Sequence, residues 1–133
     1  MPGFSKVSHV SFSVRDAAAS AAWYRRVFDL APLTEATGPT WLSILLIHPP
    51  TTLIVELQQH DANAGEEFDP RRTGLDHLAL KVDSRAELDE WQAHLERLGV
   101  RHSPVADHPG RSILSFRDPD AIQLELYHRP DHP

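Results

Sequence analysis

The sequence has no cysteine, which excludes disulfides and thiolate chemistry and fits a reducing, cytoplasmic setting. Long apolar runs are also missing. Nothing approaches the roughly 18 apolar residues of a membrane span. The opening Met1-Pro2-Gly3-Phe4-Ser5-Lys6 lacks the apolar core of a signal peptide. Positive charge is scarce: 13 Lys and Arg stand against 19 Asp and Glu, for a formal net charge of −6. There is no basic cluster, and Arg71-Arg72 is too short to be one and reads as a solvated turn. Nucleic acid and membrane are therefore not expected partners, and a small-molecule substrate is.

What is present is ordinary in amount and unusual in order. A chain of 133 residues, 41% hydrophobic and 24% charged, has the composition of one soluble globular domain, or of two small halves over one core. A chain of this length buries roughly two-thirds of its unfolded surface and needs no staples. Nine histidines are many for the length. His102, His108, His128 and His132 lie in loop-like or tail sequence and are expected in solvent.

The chain reads twice. Shifted against itself by 68 residues, His9 meets His77, Val14 meets Val82, Ala18 meets Ala86, Trp23 meets Trp91 and Leu30 meets Leu98. One further residue of shift brings Glu56 to Glu125 and Leu57 to Leu126. Two copies at so long a period indicate a duplicated unit rather than a solenoid.

Each copy opens with an alternating strand. In Val7–Val14, Val10, Phe12 and Val14 point one way, with His9, Ser11 and Ser13 opposite. Phe12 is accordingly core. Leu75–Val82 repeats the pattern, with His77, Ala79 and Lys81 on the polar side. A helix follows each strand. Asp16 caps the first, whose expected buried stripe is Ala19, Trp23, Val27 and Leu30. Ser84 and Glu87 form a capping box for the second, with the stripe Leu88, Trp91, Leu95 and Leu98 and a stop at Gly99. Three strands complete each copy. They are expected at 33–37, 41–48 and 51–58, then at 101–106, 111–116 and 121–127, with turns at Pro49-Pro50 and Asp118-Pro119-Asp120. The first module spans about 6–58 and the second about 75–128. Residues 59–74 read as a linker, and 129–133 as a polar tail. The class is α+β, two tandem βαβββ modules within a single domain over 1–133.

The final strands carry the chemistry. Leu53, Val55 and Leu57 face the helix, so Glu56 faces away. Leu124 and Leu126 face the helix, so Glu125 faces away. His9 and His77 lie on the same helix-free side. A single His or Glu there is ordinarily just solvated. Each Glu, however, sits inside an apolar run, and an unpaired buried carboxylate costs several kcal/mol. The recurrence of both residue types at matched offsets points to a divalent-metal site.

The strand Val7-Ser8-His9-Val10-Ser11-Phe12-Ser13-Val14, the strand Gly74-Leu75-Asp76-His77-Leu78-Ala79-Leu80-Lys81-Val82 and the stretch Phe116-Arg117-Asp118-Pro119-Asp120-Ala121-Ile122-Gln123-Leu124-Glu125-Leu126 resemble the vicinal oxygen chelate superfamily. That group holds glyoxalase I, extradiol dioxygenases, methylmalonyl-CoA epimerase, and the fosfomycin- and bleomycin-resistance proteins. The resemblance covers about residues 6–128. It implies paired βαβββ modules, each a half-barrel around a concave site. Its usual turn, Asp-Pro-(Asp or Glu)-Gly-Asn, has Ala121 and Ile122 here in place of Gly and Asn, which predicts a different turn shape.

Carried over by position, the implied metal ligands are His9, Glu56, His77 and Glu125, a set similar to that of bacterial glyoxalase I. The implied cofactor is one divalent ion per site: Ni, Co, Zn, Mn or Fe. Two open coordination positions would accept neighbouring oxygens of a substrate, stabilise an enediolate, and let Glu125 or Glu56 take the α-proton. A metal-dependent lyase or isomerase acting on a small oxygenated metabolite follows as the first expectation. The alternatives are an Fe(II)-dependent extradiol-type dioxygenase and a non-catalytic binding or resistance protein. Glyoxalase I has an Arg and an Asn for glutathione where this chain has Ser13 and His60, so glutathione dependence is not expected. Trp41, His60, Arg111 and Tyr127 are candidate pocket residues, although a plain surface role suits Arg111 better. The same resemblance implies a homodimer with sites shared between chains.

Overall fold

A computed structural model describes residues 1–131. The chain divides into two compact units, Met1–Glu66 and the segment from Glu67 on. The boundary falls inside the expected linker. In the first unit, β1 (Val10–Ser13), α1 (Ala17–Phe28), β2 (Ala31–Gly38), β3 (Trp41–His48) and β4 (Leu53–His60) follow in order. In the second, β5 (His77–Lys81), α2 (Arg85–Arg97), β6 (Ala106–His108), β7 (Arg111–Arg117) and β8 (Gln123–His128) repeat it. Each unit holds one four-stranded sheet, β1-β4-β3-β2 and β5-β8-β7-β6. In both, the opening strand runs parallel to the last one, and the other pairs are antiparallel. Among the described residues no helix is long and apolar enough to cross a membrane.

The parallel pairing is what positions the site. It lays the first strand of each unit beside the last, with Ser11 opposite Glu56 and Ala79 opposite Glu125. α1 covers β3 and β4, and α2 covers β7 and β8. Both helices start as their caps require. Asp16 accepts from the Ala19 amide at 2.9 Å, and Ser84 accepts from the Glu87 amide at 3.2 Å. Glu87 completes its box one residue further out, on the Asp83 amide at 2.9 Å. The 68-residue period survives in the burial pattern: Ser20 and Leu88 are both buried, as are Val27 and Leu95, and Val14 and Val82.

Several expectations are corrected. The buried stripe of α1 is Ala17, Ser20, Ala21, Tyr24 and Val27, not one through Ala19 and Trp23. The cap at Asp16 sets the helix phase and turns Ala17 onto the sheet. Tyr24 then stacks on Phe12 and Phe28, each with centroids 5.9 Å away, while Trp23 packs edge-on at its flank. β1 begins at Val10 rather than Val7, because its ladder with β4 opens at Val10 opposite Val55. β5 is trimmed in the same way to His77–Lys81, and β8 opens at Gln123 rather than Ala121. β2 is longer than expected, Ala31–Gly38. β4 starts later, after Thr51 and Thr52 extend the turn, and runs on through Gln59 and His60, residues expected in the linker.

No strand forms over 101–106 as expected. His102 makes one isolated bridge to Phe116, Pro104 has no amide to offer, and the strand forms only at Ala106–His108. His102 is not solvated: its Nδ1 lies 2.6 Å from the Ser103 carbonyl oxygen and its Nε2 lies 3.6 Å from Glu96. His108 and His128 lie in strands; His108 is exposed and His128 half-buried. The expected tail was read from residue 129. Its last two residues, His132 among them, lie outside the described residues.

Candidate metal-ligand pairs

In the first unit, His9 stands immediately before β1 and Glu56 projects from β4. Their atoms Nε2 and Oε2 are 3.8 Å apart. The other atoms of both groups are already engaged. His9 Nδ1 lies 3.1 Å from the Ser8 hydroxyl, and Glu56 Oε1 accepts from the Ser43 hydroxyl at 2.5 Å. Glu56 is held below the usual carboxylate range, first by the Ser43 hydrogen bond and further by Ser11 and His9, against a smaller opposing effect of burial.

The second unit repeats the arrangement. His77 Nε2 and Glu125 Oε2 are 3.6 Å apart. His77 Nδ1 lies 2.7 Å from the Asp76 carboxylate, and Glu125 Oε1 accepts from the Gln123 amide at 3.0 Å and from Ser115 at 3.5 Å. His77 is raised above the usual imidazole range, first by the Asp76 hydrogen bond, then by the charges of Glu125 and Asp76, while burial opposes.

Each unit therefore presents one imidazole nitrogen and one carboxylate oxygen toward each other. The sides of both groups that face away are tied by neighbours. A carboxylate on the far ring nitrogen, as at Asp76, fixes the ring and turns Nε2 toward Glu125, where it could serve as a ligand atom. Gaps of 3.6 and 3.8 Å let both atoms of a pair reach one ion at about 2.0–2.2 Å. Nitrogen and oxygen donors suit borderline divalent metals. The residues present thus fit such an ion, two ligands at a time. Among the described residues no group of three or more His, Cys, Asp or Glu side chains is arranged to hold a metal ion. The structure brings His9 to Glu56 and His77 to Glu125.

The candidate pocket residues are placed as follows. Trp41 and His60 lie opposite each other where β3 meets β4. Gly38 faces Trp41 across β2, and a Cβ there would collide with the indole. Arg111 is exposed at the start of β7, opposite His108, and Tyr127 is half-buried between Ile113 and Lys81. Sequence reasoning missed the residues that hold the candidate ligands: Ser8, Ser11, Ser43, Asp76, Ser115 and Gln123. Two of them left a signal, Asp76 as an acid beside His77 and Ser43 as the lone polar residue in the apolar stretch Trp41–Ile47.

Residues 6–126 match the Glyoxalase/Bleomycin resistance protein/Dioxygenase superfamily, and the chain belongs to that superfamily. Its relatives include the uncharacterized protein YaeR of Escherichia coli (strain K12), 28% identical over 132 residues, which are 96% of this chain and 98% of that protein. The proposed ring-cleaving dioxygenase MhqA of Bacillus subtilis (strain 168) is 24% identical over 90% of this chain, which spans only 39% of MhqA. Among solved structures, a glyoxylase/bleomycin resistance protein/dioxygenase domain from Frankia sp. EAN1pec shares the fold with a TM-score of 0.88 and 36% identity, over 96% of this chain and 99% of that one. The fosfomycin resistance protein FosX from Listeria monocytogenes, solved with Mn(II) and sulfate, shares the fold at TM-score 0.71 and 19% identity, over 95% of this chain and 93% of that one.

Proposed function

We propose that this chain is a divalent-metal-dependent enzyme, a lyase or isomerase acting on a small oxygenated metabolite in the cytoplasm. The observation that carries this reading is the matched pair of pairs: His9 with Glu56 and His77 with Glu125, each with Nε2 turned toward Oε2. A structural role for one such pair would be unremarked; the same geometry in both copies of a duplicated frame calls for a shared ligand. His9, Glu56, His77 and Glu125 would hold the ion, which when bound polarises a substrate carbonyl or a neighbouring oxygen. Glu125 is the base in this scheme, taking the proton α to that carbonyl at Oε2, with Glu56 as the second carboxylate. Both are largely buried, with side chains 13% and 19% exposed, so water competes weakly for the proton. Ser13 and His60 offer no guanidinium or carboxamide for glutathione, so the substrate is one that carries no such tail.

Four ligands require two pairs, from one chain or from two. We propose two: a homodimer in which His9 and Glu56 of one chain meet His77 and Glu125 of the other.

The reading is tested by solvent-deuterium exchange into a panel of α-hydroxy carbonyl compounds, using protein loaded with the metal found on purification. Wild type is expected to exchange, and Glu125→Gln to lose the exchange by roughly 10²–10⁴-fold while keeping some metal. Oxygen uptake on catechols by an iron-loaded protein would replace this reading with a dioxygenase. A tight ligand with neither exchange nor uptake would replace it with a binding protein.

A further inference from the structure

The repeat keeps the two carboxylates at matched stations but changes what surrounds them. Three stations flank Glu56: Ser11 opposite on β1, Leu45 opposite on β3, and Ser43 on the diagonal, beside Gln58. In the second unit the same stations hold Ala79, Ser115 and Ile113. Both hydroxyls that serve Glu56 are thus absent around Glu125, and a different one, Ser115, stands nearby at 3.5 Å, the outer limit of a hydrogen bond.

The donors also differ in stiffness. Ser43 is 1% exposed, and its hydroxyl donates to Glu56 at 2.5 Å. A buried hydroxyl must find a partner, and packing on all sides leaves it one χ angle with which to do so. Its bond to a carboxylate is of the charge-assisted, stronger kind. The nearest donor to Glu125 is the Gln123 amide at 3.0 Å, at the end of a side chain with three rotatable angles.

We propose that Ser43 is a positioning residue. Its hydroxyl pins Oε1 of Glu56 and so aims Oε2 at His9, making Glu56 the rigid ligand; Glu125, held by a flexible amide, is the carboxylate with freedom to shift toward a substrate. Ser11 supports the same lock from β1. The inference rests on the metal reading above and assigns unequal duties to its two carboxylates.

Binding of Zn²⁺ alone to the full-length protein tests it, by calorimetry against a competing chelator, with thermal melts of the metal-free proteins alongside. Three variants are compared with wild type: His9→Ala, Ser43→Ala and Ser43→Thr. Ser43→Ala is expected to bind roughly 10–100-fold more weakly, as loss of an outer partner of a ligand does. Ser43→Thr, which keeps the hydroxyl, is expected to stay close to wild type. If His9→Ala loses zinc but Ser43→Ala binds like wild type, the positioning role is wrong and the metal reading stands. If Ser43→Thr loses as much affinity as Ser43→Ala, the hydroxyl is not the cause and the proposal is overturned. If His9→Ala binds zinc like wild type, the metal reading fails and takes the proposal with it.

Discussion

Ala121 holds a φ of 63° in the turn between β7 and β8. Left-handed backbone is the region glycine enters freely and other residues enter at a cost. The family's usual glycine is missing here, which predicted a different turn, yet the left-handed position remains. Asp118 is the reason. Its carboxylate accepts from the amides of Asp120 and Ile122, both at 2.9 Å, and its amide donates to the Ile122 carbonyl at 3.0 Å. Those bonds close the turn whatever stands at 121. Ala121→Gly should therefore stabilise the protein by about 0.5–1 kcal/mol, the relief of the left-handed alanine less the added freedom of the unfolded glycine. Urea denaturation measures it, and a loss of stability would contradict this account of the turn. At this scale the candidate ligands were legible. His9, Glu56, His77 and Glu125 stood out by repetition. The donors behind them did not, because Ser11, Ser43 and Ser115 are common residues whose partners depend on strand register.

Element by element, the strand faces were legible and the element ends less so. Alternation fixes a strand's face, so the side on which Glu56 and Glu125 project follows directly from the residues between Leu53 and Leu57 and between Leu124 and Leu126. The stripe of α1 was read one residue off at Ala19 and Trp23, while Val27 and Leu30 are buried as expected; Trp23 outweighs Tyr24 in apolar bulk, but Tyr24 is the one that turns inward. The strand expected over 101–106 failed on Pro104. What anchors that region instead is charge. Arg85, at the start of α2, donates to Asp107 of β6 at 2.6 and 3.1 Å and to Asp89 at 2.8 Å, and Ser112 donates to Asp107 at 2.5 Å. The Arg85 hydrogen bonds, then that of Ser112, lower Asp107 from 3.8 to about 2. A folded value below the unfolded one means this contact helps the fold at pH above about 4 and is lost as pH falls toward about 2. A carbon-detected NMR titration should place the Asp107 midpoint near 2 in wild type and raise it toward 3.8 in Arg85→Ala. An unchanged midpoint in that variant would show that Arg85 does not hold Asp107.

For the whole molecule, duplication is the organising fact, and it was plain in the sequence because a shift of 68 residues aligns buried with buried and His9 with His77, and one residue more brings Glu56 to Glu125. On the metal reading proposed above, one unit would be insufficient: each would offer two ligands, and a firmly held divalent ion needs more. Which chain completes the set has no signature in either copy, since both pairs look the same from within. Symmetry supplies a way to ask. In a two-fold dimer with shared sites, combining a His9→Ala chain with a His77→Ala chain places both lesions in one site and leaves the other intact. The measurement is the calorimetric stoichiometry of Zn²⁺ for wild type, for each variant alone, and for the two variants unfolded and refolded together. Wild type is expected to bind one ion per chain, either variant alone to bind with affinity lower by orders of magnitude, and the mixed dimer to regain about one site. No restoration in verified mixed dimers would confine each site to a single chain, and undiminished binding by His9→Ala or His77→Ala alone would contradict the metal site itself.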